Sequence, residues 1–265
     1  MKHVAESERL EPDAELQQDM AKLDALRKQP ITLKDMLKQE VKTWQEDHQT
    51  DKQAKDGKVP RLDTLAAAYI LEKHFKTCVF SEDENTRLAV YDPTEGTYTQ
   101  NYDYIKWLIA LMYPPFSERE AMDVIYHVKN DAPVKEPTID RFLIPVNNGI
   151  WNLHQHILMP FDPKYVFTTK ITTDYVSHPV PPNIDGWTVD GWISDLACGD
   201  KEIVNLLWQV INDSMNGNFT RRKAIFLYSQ HGNSGKGTFQ SVIENLVGQS
   251  NRGSLKVNQF DERFK

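Results

Sequence analysis

The run Lys223-Ala224-Ile225-Phe226-Leu227-Tyr228 and the turn behind it, Gln230-His231-Gly232-Asn233-Ser234-Gly235-Lys236-Gly237-Thr238, decide how this chain reads. Five consecutive apolar residues, Ala224 to Tyr228, predict a fully buried strand of a parallel sheet. Beyond the turn, Phe239, Val242, Ile243, Leu246 and Val247 recur at the spacing of one helix face, and Gly248 offers a stop. Strand, glycine turn and helix in that order form a phosphate cradle. Backbone amides converge on phosphate oxygens, the helix N-terminus adds partial positive charge, and Lys236 adds a full one. The full phosphate-loop consensus is not met. Gln230 stands at the first glycine, and Gly237 replaces the magnesium-binding hydroxyl, with Thr238 one place late. The competing reading is an ordinary glycine turn with a surface lysine.

Upstream, Arg221-Arg222-Lys223 sits at the mouth of the expected strand. This triplet suits nucleic acid or a neighbouring subunit's nucleotide, or else a solvated strand entry. Two helices precede it. Trp187, Val189, Trp192, Ile193 and Leu196 mark one; Ile203, Val204, Leu207, Trp208 and Ile211 mark the other, with Asp200 as its cap and Gly217 near its end. Asp174 to Asp185 holds Pro179, Pro181 and Pro182, which predicts a stiff linker and a domain boundary.

Further back, Phe142 to Val146 leads into Asn147-Asn148-Gly149, a strong hairpin turn, and out through Ile150-Trp151-Asn152-Leu153. His154 and His156 would share one face of a strand, as a metal pair or as surface histidines. Ile105, Leu108, Ile109 and Met112 carry a helix stopped by Pro114-Pro115. Ser117 and Glu120 form a capping box for the next helix. Three short strands, Thr77–Ser81, Arg87–Tyr91 and Thr97–Gln100, with polar turns between them, predict a meander. A helix runs from Leu62 to about Phe75. Gln45 to Lys58 is polar and aperiodic and reads as a linker or exposed loop, after helices marked by Leu16–Leu26 and by Leu33–Trp44 with Thr32 as cap.

The 265 residues exceed what one core usually holds comfortably, so two domains are expected from length. Hydrophobic content of 40% with 26% charged residues describes a globular chain, and no apolar run approaches a membrane span. The polar start is unlike a signal peptide. Two distant cysteines, Cys78 and Cys198, read as structural thiols of a reducing cytosol. A net charge of −7 argues against a general nucleic-acid coat but leaves room for a locally basic channel.

Taken in order, these features resemble a known family. Asn147-Asn148-Gly149-Ile150-Trp151-Asn152-Leu153, then Pro160, Thr168-Thr169-Lys170 and Asp174-Tyr175, are similar to the domain preceding the ATPase in phage and plasmid primase-helicases, a family that includes the poxvirus primase-helicase. The Trp192 helix, Gly199-Asp200 and the turn ending Gly235-Lys236-Gly237-Thr238-Phe239 resemble the start of the superfamily III helicase domain. The fold expected from this is an α+β N-terminal region followed by the start of an α/β P-loop, AAA+-like ATPase domain. Residues 1–60 form a helical charged segment, 61–176 a collar-like domain, and 177–265 the beginning of the ATPase. The resemblance implies an ATP-driven replicative DNA helicase of a phage, plasmid or other mobile element. It would unwind DNA as a hexameric ring in the host bacterial cytoplasm, with no membrane partner.

Lys236 would hold the outer phosphates of ATP, brought with Mg2+, and Gly232, Asn233, Ser234, Gly235, Gly237 and Thr238 would wrap them. No catalytic or metal-binding residue of its own is expected within this chain. It stops about 30 residues after Lys236, before any acidic strand end, sensor or arginine finger, which reads as a fragment with negligible ATP hydrolysis. Two other classes compete: an oligomerisation or interaction module with a vestigial nucleotide site, and a small-molecule kinase, disfavoured by the length preceding the loop. An apolar strand ending in paired acids beyond Lys265 would decide for the helicase.

Overall fold

Short-range chemistry settles most of the elements in this computed structural model, which describes residues 32–219, 221–230 and 232–256. The helix expected over Leu16–Leu26 lies outside the described residues. The chain divides into two compact units, Met1–Ile70 with Lys106–Val124, and Leu71–Ile105 with Ile125–Lys265. No helix among the described residues is long and apolar enough to cross a membrane.

In the first unit, helix α1 (Leu33–Asp47) begins at Thr32, whose side chain accepts from the Asp35 amide, and it buries Leu37 and Val41 one turn apart. The run Gln45–Lys58 is not the linker its composition suggests. α1 continues to Asp47, and helix α2 (Asp51–Lys55) follows, opened by a reciprocal capping box between Thr50 and Gln53. Side-chain amides then hold the return of the chain. Gln45 Nε2 donates to Pro60 O at 2.9 Å and Gln49 Nε2 to Lys58 O at 2.7 Å. Polar residues order this segment by capping, a signal that apolar periodicity does not contain.

Helices α3 (Thr64–His74), α4 (Tyr102–Met112) and α5 (Glu118–Asp131) follow in chain order. α5 opens on the expected Ser117–Glu120 box. Hydrogen bonds from the Ser117 amide and hydroxyl hold the Glu120 carboxyl below its usual range, helped by Arg61.

The second unit contains two three-stranded antiparallel sheets. Strands β1 (Thr77–Cys78), β2 (Ala89–Asp92) and β3 (Thr97–Thr99) form the expected meander, with Cys78 opposite Ala89 and Tyr91 opposite Tyr98. Burial pushes the Cys78 thiol up to about 11, against the pull of Lys135. Strands β4 (Leu143–Val146) and β5 (Gly149–Asn152) form the predicted hairpin, and β6 (Ile157–Met159) adds a third strand that the sequence reading missed. Ile157-Leu158-Met159 is too short to display a period. The turn before it displaces the two histidines: His154 and His156 lie in the β5–β6 turn rather than on a strand face, with His156 at φ 54°. Among the described residues, no group of three His, Cys, Asp or Glu could hold a metal ion.

Three more helices pack around Ile193, Ile211 and Phe239: α6 (Val189–Leu196), α7 (Lys201–Ser214) and α8 (Lys236–Val247). α7 begins where Asp200 accepts from the Glu202 and Ile203 amides. α8 begins at Gly235 with no side-chain cap.

Candidate nucleotide-phosphate site

The expected order of strand, glycine turn and helix is met only in its second and third parts. Ala224 to Tyr228 forms no strand, and instead of being buried Phe226 is 90% and Tyr228 84% exposed. The reason lies in the backbone. A parallel strand needs ladder partners far away in sequence, and the two sheets among the described residues are both antiparallel and built from residues 77–99 and 143–159. The run still alternates as an extended segment does. Ile225 and Leu227 line a cavity of about 900 Å³ with Phe239, Ile243 and Val247 of α8, while Phe226 and Tyr228 face outward.

The turn itself brings its polar atoms together. Lys236, the first residue of α8, folds back so that its ammonium donates to Ser229 Oγ and, at 2.7 Å, to Ser234 Oγ; the two hydroxyls are 2.9 Å apart. Asn233 (φ 57°) and Gly235 (φ 78°) both adopt the left-handed conformation, which reverses the chain into the helix. A β-carbon at 235 would meet the Leu196 methyl at the end of α6, which can swing aside, so it is the left-handed backbone that favours glycine here. Gly232 and Gly237 face open space. The first amides of α8 therefore have no side-chain acceptor, and a full positive charge lies beside them. These features fit an anion, and a phosphate in particular. Thr238 is exposed in the first turn of α8. Ser229 belongs to the constellation too. The sequence reading missed it, because a serine closing an apolar run carries no motif.

The far end of α8 is fastened to the second sheet by Ile171 and Thr173, which lie between Thr168-Thr169-Lys170 and Asp174-Tyr175. Thr173 Oγ1 donates to Leu246 O at 2.8 Å, and the Ile171 amide donates to Pro145 O of β4 at 3.0 Å. Asn147 Nδ2 donates to Asp174 Oδ1 at 2.7 Å. Asn148 exchanges two bonds with the Tyr175 backbone, and Trp151 stacks on the Tyr175 ring with centroids 3.8 Å apart. The paired asparagines thus do more than turn a hairpin. They hold the segment that holds α8.

The basic triplet is split by its surroundings. Arg221 pairs with Asp213 of α7 at 2.6 Å. Arg222 has a left-handed backbone (φ 55°). Lys223 faces a second cavity, away from the phosphate loop.

A family model described as D5 N terminal like matches residues 26–198. The chain belongs to that family, which forms the N-terminal region of primase-helicase proteins. The match ends upstream of the loop at 232–238. No curated protein matches the chain.

Proposed function

We propose that the chain takes part in ATP-dependent DNA unwinding, as part of a replicative helicase of a phage, plasmid or other mobile element, and that its loop from Gly232 to Thr238 binds the phosphates of ATP. The family's link to primase-helicases and DNA replication supports the class. The observation that carries the nucleotide assignment is the Lys236 ammonium, set between two hydroxyls at an uncapped helix start. On this reading Lys236 leaves Ser229 and Ser234 for the outer phosphates, and the hydroxyls turn to phosphate oxygens. Ser234 and Thr238 are the loop hydroxyls that could meet magnesium, which would come with the nucleotide's phosphates.

Calorimetry with a non-hydrolysable ATP analogue tests this. Lys236→Ala removes one charge-assisted contact and should weaken binding by about ten- to a hundredfold. Gly237→Ser restores a hydroxyl at the usual magnesium position, so magnesium-dependent affinity should rise or hold. Equal binding by Lys236→Ala and the parent would sink the assignment, and no binding by the parent would favour a vestigial site.

A further inference from the structure

A cavity of about 1000 Å³ opens on the other side of α7, and none of Gly232 to Thr238 lines it. One wall comes from the second sheet: Arg141 and Phe142 at the entry to β4, and His154 and His156 in the β5–β6 turn. The facing wall comes from α7 and the chain after it, including Asp213, Phe219, Arg221 and Lys223. Residues some 80 positions apart in sequence thus converge on one space.

The side chains there divide into two kinds. Arg141, Arg221 and Lys223 bring three permanent positive charges against one carboxylate, Asp213, in a chain whose net charge is −7. Asp213 is committed to Arg221, and among the described residues neither Arg141 nor Lys223 has a carboxylate partner. A local field of sign opposite to the whole molecule's is what concentrates an anion. The second kind is aromatic. Phe142 is 38% exposed, with the Arg141 guanidinium 4.5 Å from its centroid and the His154 ring at 5.7 Å. The guanidinium lies over the phenyl ring, the imidazole meets that ring tilted at 54°, and half-buried Phe219 lies in the opposite wall. Cations spaced around partly exposed aromatic rings suit an unpaired polynucleotide, whose phosphates seek charge and whose bases seek a flat apolar partner.

We infer that this cleft binds single-stranded DNA, with Arg141, Arg221 and Lys223 on the phosphates and Phe142 stacked on a base. The choice of DNA rests on the helicase reading above; the cleft itself does not. Binding here would place a strand between the family domain and the chain that leads into the nucleotide loop.

Fluorescence anisotropy of labelled oligothymidylate on the full chain, titrated over salt, tests the proposal. Phe142→Leu should weaken binding about five- to a hundredfold while leaving the salt slope alone, and Phe142→Tyr should restore it. Lys223→Gln should instead flatten the slope of log affinity against log salt by about 0.7, the signature of one lost phosphate contact on a single strand. Lys52→Gln, an exposed lysine on α2, should change nothing. Arg141 and Lys223 are exposed, so their variants carry the test even if Phe142→Leu melts. Binding left unchanged by the Arg141→Gln, Lys223→Gln double variant overturns the site, as does tighter binding of oligouridylate. A chain that binds the ATP analogue but no DNA at low salt sinks the cleft alone. One that binds DNA here but no analogue sinks the phosphate loop alone.

Discussion

Two stretches of this chain carry the same local signal, a short apolar run with a tight polar turn behind it, and they end differently. Phe142 to Leu153 becomes two paired strands whose Ile144, Val146 and Ile150 are buried. Ala224 to Thr238 becomes an extended segment with its aromatic residues in solvent, then a helix. The difference is where the partner comes from. After Asn147-Asn148 the second strand arrives within two residues, so the hairpin supplies its own ladder. A parallel strand depends on neighbours reached only through crossovers. Apolar composition states that a segment needs cover; it does not state who provides it.

The sharpest test of that comparison is energetic. Phe167 is fully buried beside Leu143 and Ile150, and its carbonyl accepts from the Tyr98 amide at 2.7 Å. Phe167→Ala should cost about 3–5 kcal/mol, read as a lower urea midpoint at constant slope. Phe226→Ala removes a ring of the same size that is already in water and should stay within about 0.5 kcal/mol. A cost of several kcal/mol at Phe226 would mean that the run is covered in solution, and the contrast would disappear.

Glycines in the two turns should respond with opposite signs. Gly149 has φ 152°, and a β-carbon there would come within 2.5 Å of Met159 O on β6. Gly149→Ala should cost about 1–3 kcal/mol from the strained backbone alone. Gly237 faces open space in the first turn of α8. Gly237→Ala should stabilise by about 0.5–1 kcal/mol, because alanine loses less backbone freedom in a helix. Thermal unfolding of both variants checks the pair; two shifts of the same sign would contradict it.

What was legible in the sequence follows the same line. The meander, the hairpin and the Thr32, Ser117 and Asp200 caps all rest on residues within a few positions of one another, and all are present. Where the reading failed, the cause was specific. Gln45–Lys58 was ordered by a capping box of Thr50 and Gln53, which apolar counting ignores. The strand at Ala224 required partners no local pattern can name. In the phosphate loop the motif located Lys236 and Gly235, yet the contact with Ser229 across the turn needed the fold. Asn147 and Asn148 read as turn residues and as part of the family motif, but their clamp on residues 174 and 175 did not show, since those bonds reach 27 positions downstream.

That reach gives an intermediate prediction. Asn148→Ala removes both bonds to the Tyr175 backbone and leaves those groups to water, at about 1–2 kcal/mol. It should also loosen the Trp151–Tyr175 stack, which near-ultraviolet dichroism reports. Asn245, exposed on α8, is the control: Asn245→Ala should leave that signal untouched. An unchanged aromatic signal in Asn148→Ala would show that Tyr175 is held by stacking alone.

The smallest effect concerns what each turn leaves unsatisfied. At Asn147-Asn148 the side-chain amides and the Asn147 N–H all have protein acceptors in residues 173–175. At Gly235 the helix begins without a side-chain cap, with the Lys236 charge beside it. The first turn should be indifferent to added anions, and the second should bind them. Pyrophosphate is the simplest probe, because it offers the phosphates of a nucleotide without a base. At a concentration equal to its dissociation constant it should stabilise the chain by about 0.4 kcal/mol, rising with the logarithm of concentration thereafter. Sodium chloride at matched ionic strength should not reproduce the shift, which separates occupancy from screening. Lys236→Ala should abolish most of it. Lys223→Gln should not, because that lysine faces the other cavity. A pyrophosphate shift that survives Lys236→Ala but vanishes in Lys223→Gln would move the anion site from the loop to the cleft, and the two turns would no longer differ in the way described.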